Sequence, residues 1–219
     1  MKTTIRSIVL TMGVALMAAS ATFAQVTTQC QPGTLQTYIS QSCAIGTTLF
    51  TNFEYSETDT SNSLAATEIN VTPISMSENP GFVFSVSSAS STSWLLGTGQ
   101  TYAGKIRVTL QIQKITGQPT ISAQQATLTV NGGQFEGGTL SVTGSGCLGA
   151  LGICTQPRPA SSGIPLSLGV VSTPGTSIAY FPGLTGTVDL TVDISLKGPS
   201  AGTALTGFTT FSVQYVMVP

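Results

Sequence analysis

The stretch Thr187-Val188-Asp189-Leu190-Thr191-Val192-Asp193-Ile194-Ser195-Leu196-Lys197 decides the fold. Its apolar side chains fall at every second position, Val188, Leu190, Val192, Ile194 and Leu196, and hydroxyl or charged residues fill the gaps. Period two places the two sets on opposite sides of an extended chain, so the segment reads as an antiparallel strand with one face buried and one in water. Ile106, Val108, Leu110 and Ile112 repeat the pattern against Arg107, Thr109, Gln111 and Gln113, and Phe211, Val213, Tyr215 and Met217 repeat it near the end of the chain. On this reading Asp189 and Asp193 point outward and are solvated.

Shorter apolar or alternating runs lie at 49–55, 68–76, 82–86, 120–130, 139–143, 166–171 and 177–181. Turn chemistry separates them: Asn79-Pro80-Gly81, Asn131-Gly132-Gly133, Pro174-Gly175, Pro182-Gly183 and Gly198-Pro199. About ten strands with Gly- and Pro-rich turns predict an all-β, antiparallel two-sheet sandwich, jelly-roll-like. Helical spacing occurs once, at Leu35, Tyr38 and Ile39, which predicts a short N-terminal helical turn.

The first 24 residues carry the marks of a secretory signal: basic Lys2 and Arg6, an apolar stretch from Ile8 to Ala18, then small residues. Cleavage after Ala24 fits best, with Ala21 as the competing site, leaving residues 25–219 as a single β-sandwich domain. No later stretch has the roughly 20 apolar residues of a membrane span, so no transmembrane anchor is expected after cleavage. The expected location is outside the cell or at its surface, with the periplasm as the alternative.

Beyond Ala24 the chain has five basic and eight acidic residues, a net charge of −3. Such a surface lacks the clustered Lys and Arg that phosphate recognition needs, which argues against nucleic acid as a partner. Only 7% of the residues are charged, so Ser, Thr, Gln, Asn and Gly must supply the polar surface.

Four cysteines in an exported chain predict two disulfides. Of three possible pairings, Cys30 with Cys43 and Cys147 with Cys154 is expected, because each closes a short local loop. With no histidine in the chain, a Ser-His-Asp or Cys-His catalytic constellation cannot be assembled. Asp189 and Asp193 stand about 13 Å apart along one strand, too far for a retaining glycosidase pair. No catalytic residues are assigned, and no cofactor is expected. Glu54, Glu57 and Glu136 are the acids that a glycoside hydrolase or lyase would have to use. Glu57 and Asp59, two apart in a Ser/Thr-rich turn, form a candidate Ca²⁺ site. Trp94 and Tyr102 form a candidate carbohydrate-binding platform, with burial in the core as the competing expectation.

Cys30, Gly33-Thr34-Leu35, Tyr38, Cys43-Ala44-Ile45-Gly46, Phe50, Phe53 and Tyr55, followed by Asn79-Pro80-Gly81, Phe84, Asp193-Ile194 and Phe208 to Ser212, resemble the ectodomains of exported bacterial proteins of the PEP-CTERM sorted type. The resemblance spans most of the exported chain. It implies a surface or matrix protein of bacteria that make exopolysaccharide, with exopolysaccharide or other surface proteins as partners. Such proteins end in a Pro-Glu-Pro motif, an apolar helix and a basic tail. This chain ends at Val216-Met217-Val218-Pro219, so retention by that route is not expected. The functional expectation is a secreted, non-enzymatic structural or interaction protein of the cell surface or extracellular matrix. A carbohydrate-binding module contacting exopolysaccharide is the alternative, and a glycoside hydrolase or lyase comes third.

Overall fold

The computed structural model describes residues 28–58, 61–76, 78–88, 93–112, 122–135, 137–148, 164–171, 175–185 and 187–219. The expected signal segment, Asp59, Glu136 and Cys154 lie outside these residues. The described residues form an antiparallel β-sandwich with one five-residue helix, α1 (Leu35–Ile39).

One six-stranded sheet holds, in spatial order, β11 (Ile164–Val171), β10 (Thr139–Leu148), β13 (Thr187–Lys197), β7 (Thr101–Ile112), β3 (Thr48–Glu57) and β2 (Cys43–Ile45). The facing sheet holds β1 (Gly33–Thr34), β4 (Ile69–Ile74), β5 (Gly81–Val86), β15 (Thr210–Val218), β8 (Ser122–Asn131) and β12 (Gly175–Thr185). A small third sheet joins three two-residue strands, β6 (Leu95–Leu96), β14 (Thr206–Gly207) and β9 (Gln134–Phe135).

The strand that decides the fold sits inside its sheet. β13 pairs with β7 from Thr187↔Gln111 to Lys197↔Thr101 and with β10 from Leu148↔Val188 to Thr139↔Lys197. Val188, Leu190, Val192, Ile194 and Leu196 are all buried, as their period requires, and so are Phe211, Val213, Tyr215 and Met217 of β15.

The topology follows from how the chain alternates between the sheets. If β5, β7, β8, β10, β11, β12, β13 and β15 are counted one to eight along the chain, the sheets run 1-8-3-6 and 2-7-4-5. That is the strand order of a jelly roll, two Greek keys wrapped into one sandwich. The β2–β3 hairpin extends one sheet beyond β7, and β4 with β1 extends the other beyond β5.

Aromatic side chains fill the space between the sheets. Phe82 meets Tyr38, Phe50 and Phe53 edge-on at 5.6, 4.8 and 5.4 Å, and Phe84 stacks on Phe211 at 4.7 Å. Each such ring contributes burial of about 1.5–3 kcal/mol, and the edge-on geometry suits the ring quadrupoles. At one end Trp94 packs on Phe208 and Phe211 at 4.9 and 5.4 Å. The backbones are so close there that a Cβ on Gly207 would stand 1.7 Å from the Trp94 carbonyl oxygen, and Gly207 has φ 145°, so only glycine fits.

The predicted helical turn is α1. Thr34 caps it by accepting from the Thr37 N–H at 3.4 Å, and Leu35 and Tyr38 face the core. The Cys30–Cys43 disulfide, with a Cα–Cα distance of 4.8 Å, ties the segment before α1 to β2.

Candidate functional site

Trp94 and Tyr102 are each 1% exposed, so neither offers a face to a sugar ring, and the platform expected of them is not formed. The environment explains the burial. Trp94 enters the β6 strand beside buried Leu96 and closes the end of the core. Tyr102 points inward from β7 and lies over Gly104, where an added Cβ would come within 2.2 Å of its oxygen. Tyr102 and Tyr55 stand 3.1 Å apart through their hydroxyls, and Tyr55 donates to the Leu64 carbonyl at 2.5 Å. Burial pushes both phenols above their ordinary range, that of Tyr55 further through its hydrogen bond to Tyr102.

Glu57 ends β3, and its carboxylate accepts from the Leu64 N–H at 3.0 Å and the Ser63 hydroxyl at 2.9 Å. Those bonds clamp the turn that follows the strand. Asp59, the other half of the expected Ca²⁺ site, lies outside the described residues. Among the described residues no three His, Cys, Asp or Glu side chains converge as a metal site. Glu68 caps a second turn, accepting from the Ala65 N–H at 2.8 Å.

Asp189 departs from its expected exposure. It is 1% exposed and takes two hydrogen bonds from Arg107, Nε to Oδ1 at 2.9 Å and Nη2 to Oδ2. Arg107 reaches the opposite way through Nη1 to Glu54 Oε1 at 2.9 Å, so one guanidinium links β13, β7 and β3. The paired carboxylates push Arg107 above its ordinary value. Asp193 is solvated as expected and pairs with Lys105 at 2.9 Å. Alternation assigned Asp189 correctly to the outer side of the strand. It could not show that an arginine on the next strand would lie across it.

The described carboxylates near the candidate acids are therefore engaged in structure: Glu54 and Asp189 on Arg107, Asp193 on Lys105, and Glu57 and Glu68 on turns. Glu136 lies outside the described residues, as does the Cys154 half of the expected second disulfide.

The two outer faces of the sandwich differ in charge. Among the described residues, the seven charged side chains borne by strands, Glu54, Glu57, Lys105, Arg107, Asp189, Asp193 and Lys197, belong to the sheet of β2, β3, β7, β10, β11 and β13. That face carries an open trough of about 290 Å³, lined by Ser56, Thr58, Ala103, Ser141, Ser195 and the Lys105–Asp193 pair.

The six strands of the facing sheet contain no Asp, Glu, Lys or Arg. Their outward positions form rows across the strands. Thr176, Thr129 and Ser212 make one row, with the Thr129 and Thr176 hydroxyls 3.1 Å apart. Ile178, Thr127 and Gln214 make the next, and Tyr180, Gln125 and Val216 the one after. Tyr180 is 72% exposed and Ile178 47% exposed. The rows could have been assembled from the sequence only if the strand pairing had been known.

No protein-family model and no curated protein matches the chain. Among solved structures it is similar to the enzymatically active domain of bacteriophage CBA120 tailspike protein 4, with 12% identity and a TM-score of 0.26. The alignment covers 80% of this chain but spans 19% of the tailspike chain, and at that score the likeness carries no argument about fold or function.

Proposed function

We propose that the protein is an exported, non-enzymatic structural or interaction component of the bacterial cell surface or extracellular matrix. The observation that carries this reading is the six-stranded sheet without a single charged residue. An outer face of hydroxyls, carboxamides and a few apolar side chains suits contact with uncharged, hydrated polymers, and it is neither drawn to nor repelled by charged ones. The engagement of Glu54, Glu57, Glu68, Asp189 and Asp193 in ion pairs and turn clamps supports a structural role for them rather than an acid–base one. The Cys30–Cys43 bridge fits a protein made for an oxidising compartment.

The test is fractionation of the producing bacterium, followed by co-sedimentation of the purified exported protein with its extracellular matrix. Recovery in the matrix or surface fraction, with saturable binding that high salt leaves intact, is the expected result. Confinement to the periplasm, together with no more matrix binding than an unrelated β-sandwich shows, would overturn the reading.

A further inference from the structure

We propose that the edge of the charge-free face, built on Tyr180 with Ile178 and Gln125, is a binding site for a neutral polysaccharide chain. The proposal rests on the surface or matrix reading above and names the partner of that face.

Of the five tyrosines in the chain, Tyr38, Tyr102 and Tyr215 are buried and Tyr55 is half-buried, and only Tyr180 stands in solvent. Its position follows from strand parity. β12 turns Ala179 and Phe181 into the core, so Ile178 and Tyr180 must point out, two residues apart on one ridge. Because β12 is the last strand of its sheet, the ridge lies at the rim of the face, and rows of outward side chains lead from it across β8 and β15.

The chemistry beside the ridge is that of sugar recognition. Gln125 stands opposite Tyr180 on β8, and its carboxamide donates one N–H to the Thr127 hydroxyl at 3.0 Å. A carboxamide has a second N–H and a carbonyl oxygen, both suited to vicinal hydroxyls, and the Thr127, Thr129 and Thr176 hydroxyls can each donate or accept. The phenol ring presents a flat apolar face that can shed water against the C–H face of a pyranose. Adjacent strands lie about 4.8 Å apart, close to one sugar residue of an extended glycan, so successive units can meet successive strands.

The absence of charge selects a neutral polymer. An anionic chain would require Lys or Arg, and the strands of this sheet have neither. Of the turn residues that flank the sheet, Glu68 precedes β4 near its opposite edge, and the Glu78 carbonyl accepts from the Met217 N–H on the side of β15 away from β8, with β15 and β8 between it and Tyr180. A second copy of this chain fits less well. The central part of a self-interface is mostly apolar, whereas here Ile178, Tyr180 and Val216 are interspersed with Thr, Gln and Ser.

The test is affinity electrophoresis of the exported protein through gels containing a soluble β-glucan, a galactomannan or dextran, with polygalacturonate as the anionic counter-probe. The wild type should be retarded by at least one neutral polymer, equally at low and high salt. Tyr180→Ala should weaken that binding about tenfold, as loss of a central aromatic anchor does, with an unchanged melting temperature. Tyr180→Trp should keep it, and Lys105→Ala, on the opposite face, should leave it unchanged.

The proposal is overturned if no neutral polymer retards the wild type, if only polygalacturonate does, or if Tyr180→Ala binds like the wild type. It is also overturned if sedimentation shows a dimer that Tyr180→Ala dissolves. Matrix binding that persists without neutral-polymer binding would sink this site and leave the surface reading standing. Loss of neutral-polymer binding in Tyr180→Ala, in a protein confined to the periplasm, would do the reverse.

Discussion

Asp189 has the same place in the pattern of its strand as Asp193, yet one carboxylate is buried and the other is solvated. The difference is the Arg107 guanidinium, which presents a planar fork to Asp189, whereas Lys105 gives Asp193 a point charge in water. Burying a carboxylate is tolerable only with its cation in place. Arg107→Ala should therefore cost about 3–5 kcal/mol in urea unfolding, because it takes the bidentate guanidinium away from a buried carboxylate. Replacing both Arg107 and Asp189 by leucine should recover most of that loss. Glu54→Ala should cost below about 1 kcal/mol, since the Glu54 side chain is mostly exposed and screened. A single-mutant cost equal to that of Glu54→Ala would show that Asp189 is hydrated. Sequence periodicity located these residues on the outer side of their strands, but the register across strands decided which of them met.

At the scale of elements, the N-terminal segment relies on its staple. A five-residue helix has no stability of its own, because nucleation costs more than so few hydrogen bonds return. α1 persists because Leu35 and Tyr38 are buried and because the chain before it is pinned to β2. Cys30 N–H donates to the Ala44 carbonyl, and Ala44 N–H donates to that of Thr28, both at 2.9 Å. The Cys30–Cys43 bridge closes a 13-residue separation, for which the chain-entropy model gives about 3 kcal/mol. Cys30→Ser with Cys43→Ser should lower the unfolding free energy by about that amount, measured beside the wild type in urea without reductant. Hydrogen exchange should then be fastest in residues 28–45. A loss below about 0.5 kcal/mol would mean that the segment is held by packing alone. The local pairing of these cysteines and the helical spacing of Leu35, Tyr38 and Ile39 were both legible in the sequence, since each depends only on near neighbours along the chain.

Across the whole molecule, the ionisable groups predict an asymmetric response to pH. The chain has no histidine, so nothing of that kind titrates near neutrality. Burial pushes Tyr38 up to about 12 and raises Tyr55, Tyr102 and Tyr215 as well. A phenol whose folded pKa exceeds its unfolded value near 10 keeps its proton in the folded protein, while the unfolded chain loses it. Stability from these groups is fully present below pH 10 and falls as pH rises from there towards 12. The melting temperature should decline steeply above pH 10, and tyrosinate absorbance from the buried phenols should appear together with loss of β-structure in circular dichroism. Phenolate formation well ahead of unfolding would place those tyrosines in water.

The sequence made most of the strands and the class of fold legible. However, Pro182-Gly183, read as a turn, lies within β12 where its pairing with β8 shifts register, and β10 runs on past residue 143 to Leu148 because β13 continues beside it. A period of two, punctuated by Gly and Pro turns, can be satisfied only by half-buried strands, and strands of that kind must pair and stack. The sequence also determined the uncharged composition of 69–74, 81–86, 122–131, 175–185 and 210–218, which is visible once those strands are marked out. That these five strands, with Gly33–Thr34, belong to one sheet emerges from the strand pairing and from nothing local. The reason is topological: a jelly roll pairs strands distant along the chain, β5 with β15 and β8 with β12, and no local pattern encodes which strand becomes whose neighbour. The same step took Trp94 and Tyr102 into the core and left Tyr180 on the rim. An aromatic side chain in a strand points whichever way parity sends it, and which side is inside is settled by the sheet that packs against it.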